Sequence, residues 1–123
     1  MQGVIRTGMD LVELPRMKKA LENPRFLTRV FSKEEQELFA SRKDPLEGIA
    51  ANFAGKEAFS KALGIGVRGF SLSEVSVLRD ELGAPYLKLS GKALEIAQKE
   101  GWTFSISLTH TEHYASAVVV AYR

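Results

Sequence analysis

The stretch Ala50-Ala51-Asn52-Phe53-Ala54-Gly55-Lys56-Glu57-Ala58-Phe59-Ser60-Lys61-Ala62-Leu63-Gly64 decides the fold. We predict that it belongs to a helix that begins near Pro45 and ends at Gly64, because proline suits the first turn of a helix and glycine its end. Glycine in mid-helix, here Gly55, costs about 1 kcal/mol relative to alanine. Alanines on several faces imply that other backbones approach closely. The sequence therefore predicts a long central helix that the rest of the chain surrounds.

The segments on either side predict strands and further helices. Apolar runs and alternation predict strands at residues 3–14, 102–109 and 114–122 and a hairpin of residues 73–78 and 86–89, the first strand being buried on both faces. Helices are predicted from residue 15 to about 24, where Pro24 stops the helix, after the Ser32–Glu35 capping box, and at residues 90–101. We predict one α+β domain over residues 1–123, a largely antiparallel sheet packed against the long central helix.

Composition narrows the function classes. The chain has 123 residues, 45% of them hydrophobic and 26% charged, which fits one globular domain. It has no cysteine, which excludes disulfides and thiol chemistry, and no apolar run is long enough to span a membrane. We expect no secretory signal, because residues 1–6 do not form a basic stretch followed by an apolar segment. We therefore expect a cytoplasmic protein without a membrane partner. A net charge of +2 is too mild to indicate nucleic-acid binding.

The charge is unevenly distributed along the chain. Residues 1–33 carry seven Lys or Arg and three Asp or Glu, a net charge of +4 against −2 for the rest. Such a basic segment suits an acidic partner. An ordinary solvated helix would explain the same residues.

Three residues stand out as candidates for catalysis. Asp10 lies inside the predicted first strand, where a carboxylate needs a hydrogen-bond donor, a cation or a metal. A bond to a nearby backbone amide would meet that need as well. Glu57 and Lys61 lie one turn apart on the enclosed helix. The spacing is also that of a simple surface ion pair.

A glycine motif and a histidine complete the inventory. Residues 64–69 satisfy G-x-G-x-x-G, but the motif follows a helix and precedes a strand, so it is not a dinucleotide fingerprint. Arg68 in this loop is a possible phosphate contact. His110 shares a strand face with apolar residues, and two histidines are too few for a zinc site. Asp10 and Glu57 together suit Mg²⁺ bound to a substrate diphosphate, with Lys61, His110 and Arg68 near the phosphates.

Three motifs, in order and spread over most of the chain, resemble the holo-[acyl-carrier-protein] synthase family, the small bacterial 4′-phosphopantetheinyl transferases. They read G-M-D-L-V-E-L-P-R at 8–16, F-A-G-K-E-A-F-S-K-A-L-G at 53–64 and S-L-T-H at 107–110. Two positions depart from the family pattern: Asn52, where many relatives have Arg, and Gly55, where Ala or Val is usual.

The resemblance implies a 4′-phosphopantetheinyl transferase-like fold and transfer of 4′-phosphopantetheine from coenzyme A to a serine hydroxyl of apo acyl carrier protein. The product would be adenosine 3′,5′-bisphosphate, and the role would be in fatty acid biosynthesis. It further implies Mg²⁺ held by Asp10, Glu57 and the diphosphate of coenzyme A. Lys61 would stabilise or protonate the leaving phosphate. Either Glu57 or a metal-bound water would deprotonate the serine.

The resemblance also assigns binding residues. The nucleotide end would be held by His110 and Thr109, in a pocket shaped by Gly64 and Pro85, with the 3′-phosphate near Arg42 and Lys43. Acidic carrier proteins would dock on the basic first helix, through Arg16, Lys18, Lys19 and Arg25. The family implies a homotrimer with active sites between subunits. Two rival interpretations stay open: a non-catalytic α+β module that binds an acidic protein through the basic N-terminal third, and an Mg²⁺-dependent enzyme that cleaves a nucleotide diphosphate without a carrier.

Overall fold

Two antiparallel sheets pack around one long helix in the computed structural model, which describes residues 3–65 and 68–123. The strands are β1 (Ile5–Glu13), β2 (Val75–Arg79), β3 (Pro85–Leu89), β4 (Thr103–His110) and β5 (Tyr114–Tyr122). The helices are α1 (Leu14–Ala20), α2 (Pro24–Val30), α3 (Lys33–Ala40), α4 (Leu46–Leu63) and α5 (Gly91–Glu100), with a 3₁₀ turn at Leu72–Glu74. The predicted antiparallel α+β architecture is confirmed.

The larger sheet has the strand order β1-β5-β4 and covers α4 with one face. Gly8 makes the tightest contact, because a Cβ atom built there would lie 1.9 Å from the Ala58 carbonyl oxygen. Gly55 is also closely approached, because a Cβ atom there would lie 3.0 Å from Ile106 and 3.1 Å from Val77 side-chain atoms. The predicted close approach of other elements to the central helix is therefore confirmed.

A buried polar network joins α3 and β2 to α4. The Glu35 carboxylate is paired with the Lys56 ammonium, and both side chains are fully buried. Lys56 also donates to the carbonyl oxygens of Leu72 (3.0 Å) and Val75 (2.6 Å). Glu35 meanwhile closes the capping box that the sequence predicts, since its carboxylate accepts from the Ser32 amide at 3.0 Å. The network fixes α4 relative to the smaller sheet.

The prediction for the first strand was wrong in one respect. Its inner face meets α4, but its outer face is open in the single chain: Ile5, Met9 and Leu11 are 72%, 66% and 64% exposed. A run of apolar residues does not distinguish a strand covered by its own chain from one that leaves a face free.

The prediction for the segment after β1 was also wrong. The helix does not continue to residue 24, because α1 ends at Ala20 and Pro24 starts a new helix. The Asn23 side chain caps it by accepting from the Arg25 amide at 3.0 Å. Proline at the first position of a helix lacks only an N–H that would have no partner there.

The glycine motif falls partly outside the described residues, because Gly66 and Val67 are not among them. Gly64 ends α4 in the left-handed conformation, with φ = 77°. The motif thus follows a helix, as predicted from the sequence. Within residues 3–65 and 68–123, no helix is long and apolar enough to cross a membrane.

Candidate active site

Asp10 and Lys61 meet where β1 crosses α4. Side chains alternate along β1, so Asp10 lies on the same face as Gly8 and Val12, towards the helix. The Lys61 ammonium donates to the Asp10 carboxylate at 3.2 Å and to the Met9 carbonyl oxygen at 2.9 Å. The Asp10 side chain is 19% exposed, so the carboxylate remains reachable from solvent.

Glu57 joins this pair from the preceding turn of α4. Burial raises the pKa of Glu57, and the neighbouring Asp10 carboxylate raises it further, whereas Lys61 partly opposes the rise. Two carboxylates separated by 47 positions of sequence are thus electrostatic neighbours. The structure therefore brings Asp10, Glu57 and Lys61 together at one place, which we call the acidic site.

The acidic site suits a hard divalent cation with few protein ligands. Across the described ranges, no three His, Cys, Asp or Glu side chains cluster in a way that would enclose an ion. Mg²⁺ commonly takes one or two carboxylates and completes its shell with water and substrate phosphate oxygens. The like charges of Asp10 and Glu57, which raise the pKa of Glu57, would be neutralised by such an ion. The donor set fits Mg²⁺.

A second cleft lies near the N-terminal end of α4, and we call it the basic cleft. It contains three of the predicted substrate contacts, Arg42, Pro85 and His110. The Nδ1 atom of His110 contacts the Glu47 carboxylate. The other lining residues are Asp44, Gly48, Ala51, Arg79, Gly83 and Leu108.

The remaining predicted substrate contacts lie elsewhere. Thr109 occupies the outer face of β4, opposite to His110, and borders a shallow depression with Met9 and Ser116. Gly64 is the C-terminal cap of α4, and Lys43 and Arg68 are exposed on loops. One chain alone does not unite these residues with the basic cleft.

Arg79 is the residue of the basic cleft that sequence reasoning missed. It directly follows a predicted strand, residues 73–78, and belongs to no motif. Its Nη2 atom donates to the Asn52 side-chain oxygen at 3.1 Å. The only sequence signal was its position just before the hairpin turn that also carries Pro85.

An apolar groove runs from Asp10 to the first two helices. Its walls include Met17, Ala20, Phe26 and Phe53, and Arg16 lies at its edge. The other predicted docking cations, Lys18, Lys19 and Arg25, are exposed nearby on α1 and α2. The apolar groove, with Arg16 in its lining, therefore reaches Asp10 of the acidic site.

These features can be compared with known proteins. Residues 6–119 match the model of a family described as the 4′-phosphopantetheinyl transferase superfamily, and this chain belongs to that family. A relative from Clostridium botulinum (strain Alaska E43 / Type E3), named holo-[acyl-carrier-protein] synthase, is 46% identical over 92% of this chain and 93% of its own length.

Solved structures agree with this assignment. The holo-[acyl-carrier-protein] synthase from Neisseria meningitidis superposes with a TM-score of 0.89 at 31% identity, covering 94% of this chain and 96% of that one. The enzyme of the same name from Helicobacter pylori, solved in complex with coenzyme A, gives a TM-score of 0.82 at 33% identity, covering 94% of this chain and 98% of that one. The predicted phosphopantetheinyl transferase-like fold is confirmed.

Proposed function

We propose that this chain transfers 4′-phosphopantetheine from coenzyme A to a serine hydroxyl of an apo acyl carrier protein. The observation that carries the proposal is the meeting of Asp10, Glu57 and Lys61 in a chain of the phosphopantetheinyl transferase family. The reaction breaks a diphosphate linkage, forms a phosphodiester with the serine and releases adenosine 3′,5′-bisphosphate. We place the reaction in the cytoplasm and in fatty acid biosynthesis.

In this proposal Asp10 and Glu57 hold Mg²⁺ beside the diphosphate of coenzyme A. The ion supplies neutralisation of the charge that develops on the phosphate oxygens. Lys61 adds a second positive charge, and its bond to the Met9 carbonyl oxygen holds the ammonium beside Asp10 in the acidic site. Pre-oriented charge of this kind is a large part of enzymatic rate enhancement.

Glu57 is also the candidate general base. The proton on the serine hydroxyl would pass to Glu57 directly or through water. Lys61 would face the leaving phosphate and either stabilise its charge or donate a proton to it.

We assign the nucleotide end of coenzyme A to the basic cleft. His110 and Arg42 lie there with Pro85, and the open mouth of the cleft admits a planar base and a phosphate. The carrier protein would dock on Arg16, Lys19 and Arg25, so that its serine enters the groove beside Asp10. Opposite charges across such a surface accelerate encounter and fix orientation.

We further propose the homotrimer with shared active sites that the family resemblance implies. The basic cleft and the acidic site have different linings on one chain. The outer face of the larger sheet exposes Met9 and Leu11 and carries Thr109. Packing of that face against neighbouring copies would bury these apolar side chains and bring Thr109 next to a neighbour's cleft. Sedimentation velocity of the purified chain tests the assembly, and a monomer would contradict it.

The transferase proposal is tested by incubating the chain with coenzyme A, Mg²⁺ and apo carrier proteins and then measuring the masses of the carriers by mass spectrometry. We expect a mass gain of one phosphopantetheine, lost in Glu57→Gln and retained in the control Glu95→Gln, whose position on α5 is exposed. Product without a carrier would instead favour a diphosphate-cleaving enzyme. Carrier binding with no mass gain would favour a non-catalytic docking module.

A further inference from the structure

Arg79 is a half-buried cation that the proposed reaction has not used. It ends β2 and borders the basic cleft. Its Nη2 atom donates to the Asn52 side-chain oxygen at 3.1 Å, and its Nη1 atom donates to the Leu78 carbonyl oxygen at 3.3 Å. A guanidinium has five N–H donors, so donors remain for a ligand in the cleft.

The buried network fixes the direction of this guanidinium. Asn52 is fully buried, and its amide nitrogen donates to the Glu35 carboxylate at 2.9 Å and to the Val77 carbonyl oxygen at 2.8 Å. Both partners are acceptors, so the amide cannot turn over without losing both bonds. Its oxygen must therefore face Arg79, and Asn52 orients Arg79.

Arg42 approaches the same cleft from the other side. A Cβ atom built on Gly48 would lie 3.6 Å from the Nη1 atom of Arg42, so the side chain lies over the first turns of α4. Burial and the neighbouring Arg42 charge lower the pKa of Arg79, while Glu35 opposes that change. The two guanidinium groups therefore repel each other across the cleft.

Among the described residues, no carboxylate of the cleft forms an ion pair with Arg42 or Arg79. Glu47 is already paired with His110, which leaves Asp44 as the other carboxylate in the lining. Two like charges held by the fold around an open cleft suit an anion with more than one charged oxygen. A phosphate monoester has that chemistry, and guanidinium groups bind it through two parallel hydrogen bonds.

We propose that Arg79 joins Arg42, the 3′-phosphate contact that the family resemblance implies, in binding the terminal phosphate monoester at the nucleotide end of the substrate, with Asn52 as the positioning residue for Arg79. The inference rests on the proposed function, which gives the diphosphate to the acidic site and leaves the 3′-phosphate of coenzyme A for the basic cleft. Arg79 is then a specificity residue, because it makes the site prefer coenzyme A over dephospho-coenzyme A.

The test measures binding of adenosine 3′,5′-bisphosphate and of adenosine 5′-monophosphate by calorimetry. We expect the wild-type chain to prefer the bisphosphate and Arg79→Gln to weaken bisphosphate binding about tenfold, with monophosphate binding unchanged. Arg42→Gln should act in the same way. Arg29→Gln is the matched control, since Arg29 is exposed on α2 and should change neither affinity.

Two further variants separate ligand binding from a structural role. Arg79→Lys keeps the charge beside the buried network but lacks the planar fork, so an intermediate preference is expected. Asn52→Ala should lower the same preference while leaving monophosphate binding intact. Thermal unfolding is followed in parallel. If Arg79→Gln does not fold, an unchanged preference in both Arg79→Lys and Arg42→Gln overturns the inference.

The outcome also distinguishes this inference from the proposed function. Binding needs neither a carrier nor turnover, so an Arg79-dependent preference in a chain that loads no carrier overturns only the transferase proposal. Conversely, a chain that loads carriers equally well from coenzyme A and dephospho-coenzyme A overturns only the role of Arg79. Equal weakening of both nucleotides by Arg79→Gln also overturns that role.

Discussion

The Lys61 ammonium of α4 lies 3.2 Å from the Asp10 carboxylate of β1. The same strand and helix also come close together at Gly8 and Ala58. The Lys61 charge only partly opposes the rise in the pKa of Glu57, the other carboxylate of the acidic site.

Replacing Glu57 by Gln should stabilise the metal-free protein at neutral pH. The pKa of Glu57 is raised above its ordinary value of 4.5 in the folded state, so ionisation is harder in the folded than in the unfolded chain. The wild type therefore loses stability as the pH rises through 4.5 towards the raised pKa, and the loss stays constant above it. Thermal unfolding of both proteins between about pH 4 and pH 7 should show a gap that widens with pH. A gap independent of pH would contradict this reasoning, and Glu95→Gln supplies the control.

Reversal of the charge at Arg16 should weaken carrier docking and leave the chemistry intact. Arg16 lies at the edge of the apolar groove that leads to Asp10. We expect Arg16→Glu to raise the carrier KM, to reduce its dependence on salt and to leave the coenzyme A KM unchanged. Steady-state kinetics at two salt concentrations measure this. Lys99→Glu on α5 makes the same change of charge away from the groove, and an equal effect there would remove Arg16 from the docking surface.

Loss of the buried lysine should destabilise the fold far more than loss of an exposed one. Lys56→Met leaves the Glu35 carboxylate buried without its cation, which costs about 3–5 kcal/mol. Lys88→Met is the matched control, because it removes only a solvent-exposed ion pair with Glu34. It should leave the free energy of unfolding nearly unchanged. Urea unfolding compares the two variants. Similar stability of both would show that Glu35 does not depend on Lys56.

A methyl group at Gly8 should not be tolerated. The Cβ atom would lie 1.9 Å from the Ala58 carbonyl oxygen, so strand and helix would have to separate. We expect Gly8→Ala to lower the free energy of unfolding by at least about 3 kcal/mol. In the control Gly3→Ala the new Cβ atom lies 3.4 Å from its nearest neighbour, at the edge of ordinary contact, and little change is expected. A Gly8→Ala variant as stable as the wild type would show that β1 can shift on α4.

Most of the fold could be predicted from the sequence because its signals were local. The central helix has a glycine at its end, and the Ser32–Glu35 capping box closes as predicted. The start of α2 was missed because Pro24 suits the end of one helix as well as the beginning of the next. The open face of β1 was missed because apolar residues do not reveal whether their cover comes from the same chain.

The residues of the acidic site could be grouped from their types alone, because two carboxylates and a lysine suit Mg²⁺ and a diphosphate, and the resemblance led to the same grouping. The sequence does not show which carboxylate Lys61 contacts. In the structure Lys61 is bonded to Asp10 rather than to its helical neighbour Glu57. Arg79 could not be found in advance, because its role depends on Asn52, which lies 27 positions away and is oriented by a third residue, Glu35.

Thr109 and His110 are consecutive yet lie on opposite faces of the sheet. If each active site takes one of these two residues from a neighbouring chain, the activity depends on the concentration of assembled chains. Dilution that separates the chains would then abolish the activity although each chain stayed folded. Mixing two inactive variants, Glu57→Gln and His110→Ala, would restore active sites by complementation, because one chain would supply Glu57 and its neighbour His110.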